Sequence, residues 1–245
     1  MTNTDKTVIA FDADDTLWPN EHYFREGEQQ IIKLLERYYP GEDLLDKLYQ
    51  QEIKNLHVFG YGAKGFALSM IESLIELSDG KVTGQEIQQV IEIGKMIMSS
   101  PIELISGVTE TIEALRGYPL MIITKGDLFD QESKIARSGL ADNFKMIEIV
   151  SEKDDATYLR LLKKYHIAPE NFWMVGNSLK SDILPVAHIG AHAVHIPHET
   201  TWVHEMVSDK HASAYNYHEL STISELPALI KREVEREIQK NRSVS

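Results

Sequence analysis

Val8-Ile9-Ala10-Phe11-Asp12-Ala13-Asp14-Asp15-Thr16-Leu17 decides how this chain is read. Val8 to Phe11 is a short continuous apolar run, the pattern of a strand covered on both faces. It stops abruptly in a cluster of carboxylates and a threonine. In an open α/β sheet, ligands bind in the crevice outside the carboxyl ends of the strands. Asp12 and Asp14 at such an end bring two negative charges together, which is costly unless a cation joins them. A divalent metal beside a carboxylate able to attack phosphorus is the chemistry this arrangement suits.

Downstream the pattern turns helical. Ile31, Leu34, Leu35 and Tyr38 form one apolar stripe at helical spacing. Further helices are expected over 42–55 and 64–77. Thr83 and Glu86 form a capping-box pattern ahead of Ile87, Val90, Ile91, Gly94 and Met98. No strand pattern occurs between Trp18 and Pro101, so 18–100 reads as an all-helical insertion.

Alternation of helix and strand returns at Ser106. Helices are expected over 108–115, 127–138, 157–165, 181–188 and 226–240. Strands are expected over 119–124, 146–150, 172–175 and 193–196, and Gly139 sits where a helix terminator belongs. Strands joined by helical crossovers imply a Rossmann-like parallel sheet with helices on both faces. The expected organisation is therefore an α/β core from 1–17 and 101–245 with a helical cap, 18–100, inserted after the first strand. Because it leaves from the sheet's carboxyl edge, the insertion is expected to act as a lid.

Bulk properties narrow the function. The chain has 245 residues, a net charge of −13 and no cysteine. The charge argues against a nucleic-acid partner, which needs clustered Lys and Arg. The missing cysteines exclude disulfides, thiolate metal sites and a thiol nucleophile. Residues 1–6 lack an apolar signal core, and no apolar run is long enough to cross a bilayer. A soluble, cytoplasmic protein with no membrane partner is expected.

Four segments each place polar residues at a strand end or the following helix start. They are Asp12-Ala13-Asp14-Asp15-Thr16, Thr124-Lys125-Gly126-Asp127, Lys153-Asp154, and Gly176-Asn177-Ser178-Leu179-Lys180-Ser181-Asp182. In that order they resemble the four motifs of the haloacid dehalogenase superfamily, and the helical insertion resembles its C1 cap. The resemblance implies that Asp12 is a nucleophile forming an aspartyl-phosphate and that Asp14 is the general acid and base. It further implies that Thr124 and the Lys125 backbone N–H hold the phosphoryl oxygens, with Lys153 neutralising charge. Mg²⁺ is the implied cofactor, held by Asp12, Asp14, Asn177 and Asp182.

Three of these positions depart from the common pattern. Lys125 stands where members often carry Asn; its ammonium either assists phosphate binding or reaches solvent. Lys153 is followed by Asp154 rather than proline, and the run Glu152-Lys153-Asp154-Asp155 also reads as a solvated helix start. Asn177 stands in the first acidic position of the last motif, which shifts metal binding toward Asp182 or weakens it.

The resemblance implies a Mg²⁺-dependent phosphatase of a small phosphorylated metabolite. Alternatives on the same fold are a phosphomutase, a 2-haloacid dehalogenase and a catalytically weakened protein that binds a phosphorylated ligand. Asp14 argues against the dehalogenase, because those enzymes lack the second aspartate of the first motif. Outside the motifs, His188, His192, His195, His198 and His204 are close in sequence but span a helix end, a strand and a loop, so convergence on a metal is not expected. Trp18, His22, Tyr23 and Phe24, and the group His57, Phe59, Tyr61 and Lys64 around Gly60 and Gly62, read equally as substrate contacts or as ordinary packing.

Overall fold

The computed structural model describes residues 7–198, 205 and 215–243. Six strands form one sheet: β1 (Val8–Phe11), β2 (Leu120–Lys125), β3 (Met146–Val150), β4 (Phe172–Gly176), β5 (His192–His195) and β6 (His218–Glu219), in the order β3-β2-β1-β4-β5-β6. Every pairing is parallel, and β1 registers Phe11 against Ile122 of β2 and Val175 of β4. The order reverses between β1 and β4, which makes the crevice beyond their carboxyl ends the favoured ligand position.

The apolar runs are continuous because both faces of the sheet are covered. Ile9, Phe11, Leu120, Ile122, Trp173 and Val175 pack into one core cluster. Val8, Ala10, Met121, Ile123, Phe172 and Met174, alternating with them along the strands, pack into another. This α/β architecture is the one expected from the strand and helix pattern. Trp18, assigned by sequence to the cap, is fully buried in the first cluster.

The chain divides into two compact units, one of residues 1–19, 102–125 and 135–245, the other of residues 20–101 and 126–134. The second contains α1 (Glu21–Leu35), α2 (Leu44–Phe59), α3 (Ala63–Leu77) and α4 (Gly84–Ser99), with its own apolar core. The capping box at Thr83 and Glu86 is formed. Two details differ from the sequence expectation. The buried stripe of α4 is Val90, Ile93, Gly94 and Ile97, and Ile91 is exposed. Helix α1 ends at Leu35, so Tyr38 lies beyond it and its hydroxyl donates to Glu86 at 2.9 Å. The remaining helices are α5 (Val108–Ala114), α6 (Leu128–Arg137), α7 (Asp155–Tyr165), α8 (Leu184–His188) and α9 (Leu226–Ser243).

Two local differences bear on the crevice. The helix expected over 181–188 begins instead as one π-helical turn, Leu179–Ile183, with Ser178 accepting from the Ser181 N–H at 3.0 Å. Only Leu184–His188 is α-helical. Such wide turns recur at functional sites. β6 is two residues long and carries no alternating apolar signal, so nothing in its sequence marked it as a strand. No helix among the described residues is long and apolar enough to cross a membrane.

Within the helical unit, burial and the neighbouring charge of Glu28 push the Glu52 carboxyl up to about 7. A carboxyl whose pKa is raised by folding holds its proton more tightly in the folded state. Its full stabilising effect is therefore present below the unfolded pKa and is lost as pH rises toward about 7. Glu52→Gln should match the wild type in urea unfolding near pH about 4 and exceed it near pH about 8. An equal difference at both pH values would contradict this assignment.

Candidate functional site

The site is built from four strand ends, those of β1, β2, β3 and β4. The Asp12 N–H donates to the Val175 carbonyl at 2.9 Å, so pairing of β1 with β4 continues one residue beyond the strand. This puts the Asp12 carboxylate at the reversal point of the sheet. The chain then turns tightly: Leu17 N–H bonds back to the Ala13 carbonyl at 2.8 Å, and Asp15 takes a positive φ of 60°. The half-buried Asp14 is steered by Trp18, whose indole Nε1–H donates to Asp14 Oδ1 at 2.8 Å.

Lys153 lies between Val150, where β3 ends, and Asp155, where α7 starts. It is buried, and its Nζ donates to Asp12 Oδ1 at 2.5 Å and to Asp182 Oδ1 at 2.7 Å. The charge run around it divides its labour. Asp154 caps α7 by accepting from the Thr157 N–H at 2.8 Å, and Asp155 pairs with His188 on the surface. Lys153 alone turns inward.

Asp182 is fully buried, and both its oxygens are engaged: Oδ1 by Lys153 and Oδ2 by the Ser178 N–H at 3.0 Å. Gly176 permits this closeness, since a Cβ there would sit 2.3 Å from Asp182 Oδ2. Thr16 Oγ1 lies 3.3 Å from Asp12 Oδ2 and 3.1 Å from Asn177 Oδ1, connecting the first and last segments.

Burial and the neighbouring charges together explain the shifts. Burial raises the Asp12 carboxyl to about 7, opposed by Lys153 and reinforced by Asp182 and Asp14. Burial would lower Lys153, but Asp12 and Asp182 outweigh it and hold the ammonium protonated. One lysine thus faces two buried carboxylates, with a third two residues away, and a further cation suits this excess negative charge. The oxygens of Asp12, Asp14 and Asn177 are hard donors of the type Mg²⁺ accepts. Asp182, with both oxygens engaged, is better suited to holding Lys153.

Thr124 is almost fully buried, and its Oγ1 has no hydrogen-bond partner among the described residues. A buried hydroxyl left unsatisfied is costly, and a ligand oxygen is one way to satisfy it. Lys125 is half-buried and paired: its Nζ lies 2.6 Å from Glu205 Oε1 and 3.2 Å from Ser181 Oγ. Glu205 also accepts from Ser181 Oγ at 2.5 Å and from Ser178 Oγ. Although burial would raise the Glu205 carboxyl, Lys125 and the two hydroxyls hold it down at about 2.

The structure therefore brings Asp12, Lys153, Asp182, Thr16 and Asn177 into one bonded network, with Lys125 in a second network that shares the 178–182 loop. Glu205 was missed because it follows a histidine-rich stretch with no local pattern pointing to the crevice. The histidines disperse. His188 pairs with Asp155, His192 stacks on Trp173, His195 lies between Glu219 and the Asn177 carbonyl, and His198 approaches Asp15 at 3.7 Å. His204 lies outside the described residues, and no metal-ligand cluster of His, Cys, Asp and Glu occurs among those described. In the helical unit, Lys64 pairs with Asp127 at 2.8 Å and Phe24 packs edge-on against Phe66.

Comparison with known proteins shows the family. A model of haloacid dehalogenase-like hydrolases matches residues 6–190. A solved haloacid dehalogenase-like family hydrolase from Xanthomonas campestris is 38% identical, with 97% of each chain covered and a TM-score of 0.84. A predicted phosphoglycolate phosphatase from Haemophilus somnus is 17% identical, covering 94% of this chain and 99% of its own, with a TM-score of 0.64. A 2-haloacid dehalogenase from Pseudomonas syringae pv. tomato is 20% identical, covering 92% and 98%, with a TM-score of 0.60. The last two share the fold alone. No curated protein matches the chain.

Removing the lysine tests the electrostatic reading. Lys153→Met leaves Asp12 and Asp182 buried together, and breaking such a buried pair costs about 3–5 kcal/mol. Urea unfolding should show a loss of that order, and Lys153→Met with Asp182→Asn should recover part of it. An unchanged midpoint in the single variant would contradict the reading.

Proposed function

Since the chain belongs to the haloacid dehalogenase-like hydrolases, we propose that it is a Mg²⁺-dependent phosphatase that releases phosphate from a small phosphomonoester through an aspartyl-phosphate on Asp12. The observation that carries this reading is the buried Asp12–Lys153 pair at 2.5 Å with a second carboxylate, Asp14, two residues on. Family members that displace halide lack that second carboxylate, because their substrates need no proton donated to the leaving atom. A phosphate ester does need one.

Asp12 attacks the phosphorus in line, forming the bond from its carboxylate oxygen as the ester P–O bond breaks. Asp14 gives its proton to the departing alcohol oxygen, then takes one from the water that attacks the acyl phosphate. That second step releases inorganic phosphate and restores the Asp12 carboxylate. The indole of Trp18 donates to Asp14 Oδ1 and so helps to orient the carboxyl that offers the proton. Thr124 Oγ1 and the backbone N–H of Lys125 receive the phosphoryl oxygens, and Lys153 offsets their charge. The Asp12 carboxylate, the Asp14 carbonyl and the Asn177 side-chain oxygen would hold Mg²⁺, which would supply charge neutralisation there. Asp182 supports the same site by fixing Lys153 and the 178–182 loop. The partner is a small phosphorylated metabolite, since a net charge of −13 disfavours a polyanion.

Asn177 favours a second reading. A neutral side chain at the first position of the last segment lowers the charge available to a metal, as a metal-independent dehalogenase would tolerate. The two readings separate on substrate and metal. The phosphatase releases phosphate from an aryl phosphate only with Mg²⁺, and EDTA abolishes turnover. Asp12→Asn should keep the wild-type circular dichroism while losing at least about a thousandfold in kcat. Retained phosphate release in that variant, or chloride release from a 2-haloacid in EDTA, would overturn the proposal.

A further inference from the structure

The proposed chemistry leaves Glu205 without a role, yet its carboxylate is one of the most fully bonded acidic groups in the α/β unit. It pairs with Lys125 Nζ at 2.6 Å, accepts from Ser181 Oγ at 2.5 Å and also accepts from Ser178 Oγ. Those donors come from two separate places. Lys125 is the last residue of β2, next to the unsatisfied hydroxyl of Thr124. Ser178 and Ser181 lie between Asn177 and Asp182, at the cap and inside the turn that follows β4. Lys125 also reaches Ser181 Oγ directly at 3.2 Å, so carboxylate, ammonium and hydroxyl close a small ring. β2 and β4 are not hydrogen-bonded neighbours, since β1 lies between them. Pairing of both with β1 sets the spacing of the strands, but not the position of the 178–182 loop, which lies beyond the end of β4.

We infer that Glu205 is a positioning residue that clamps the end of β2 to the 178–182 loop and so fixes the spacing between Thr124 and the Lys153–Asp182 pair. The inference rests on the phosphatase reading for its catalytic consequence, although the clamp itself does not depend on it. Without the clamp, Lys125 loses the Glu205 counter-charge, and the tie between the Thr124–Lys125 backbone and the opposite loop is weakened to contacts such as Lys125 Nζ to Ser181 Oγ. Phosphoryl oxygens would then be held less well in the transition state than in the bound ester. The effect should appear mainly in kcat, since misplacement of about 1 Å can cost about a hundredfold in rate.

The test uses the full chain as wild type, Glu205→Gln and Glu205→Ala. Glu205→Gln keeps an oxygen acceptor for the two hydroxyls while removing the charge. Two readouts are taken: kcat and KM for an aryl phosphate with Mg²⁺, and amide hydrogen exchange without substrate. The clamp predicts faster exchange in peptides covering both 124–126 and 177–182. It also predicts a fall in kcat of about 10- to 100-fold with little change in KM, the glutamine variant lying between wild type and alanine. Unchanged exchange in both segments, or a Glu205→Ala protein with wild-type kcat, would overturn it. Should the wild type release no phosphate while the variants still speed exchange in both segments, the phosphatase reading falls and the clamp stands. Should the alanine variant be insoluble, the glutamine variant decides by the same two readouts.

Discussion

A protonated lysine between two buried carboxylates holds this site together. Asp12, Lys153 and Asp182 leave three different strands, and each is almost wholly removed from water. Neither carboxylate is comfortable there alone, because burial without a partner drives a carboxyl toward its neutral form. With Lys153 between them, Asp12 presents one oxygen to the ammonium and the other toward Thr16, while Asp182 turns its second oxygen to the 178 N–H. The same contacts that compensate burial also aim the side chains. Stability and the geometry of the site are one arrangement.

The sheet explains why these groups meet where they do. Strand order reverses between β1 and β4, leaving a crevice at their carboxyl ends, and one extra backbone bond from Asp12 to Val175 carries the first acidic residue into it. Gly176 then lets Asp182 approach more closely than any side chain at that position would allow. Burial of alternate residues of β1, β2 and β4 in two separate core clusters keeps these strands from slipping in register. A slip by one residue would move Asp12 to the opposite face.

Much of this was legible in the amino-acid sequence because it depends on local order. The apolar run before Asp12, the helix start marked by Asp154 and the turn glycine at 139 each carry a short-range signal. The α/β class followed from alternation of strand and helix patterns. What escaped has no local signature. Glu205 reaches Lys125 across 80 residues, and a single glutamate after histidines announces no destination. β6 is only two residues long, and its place comes from pairing with Val194 and His195 rather than from its own pattern. The facing of α4 moved from Ile91 to Ile93 and Ile97, because its apolar residues permit more than one stripe and packing chooses between them. Lys153 read two ways in sequence, and tertiary burial separated it from Asp154 and Asp155, which follow it.

Covalent capture of phosphorus on Asp12 tests the account most directly. Wild-type protein mixed with an aryl phosphate and Mg²⁺, quenched in acid and digested, is expected to carry one phosphoryl group on the peptide containing residues 8–17. The label should be absent from Asp12→Asn and should be lost on mild alkaline treatment, as an acyl phosphate requires. Phosphate released at the wild-type rate by Asp12→Asn, or by a wild-type protein that never carries that label, would contradict a nucleophilic Asp12.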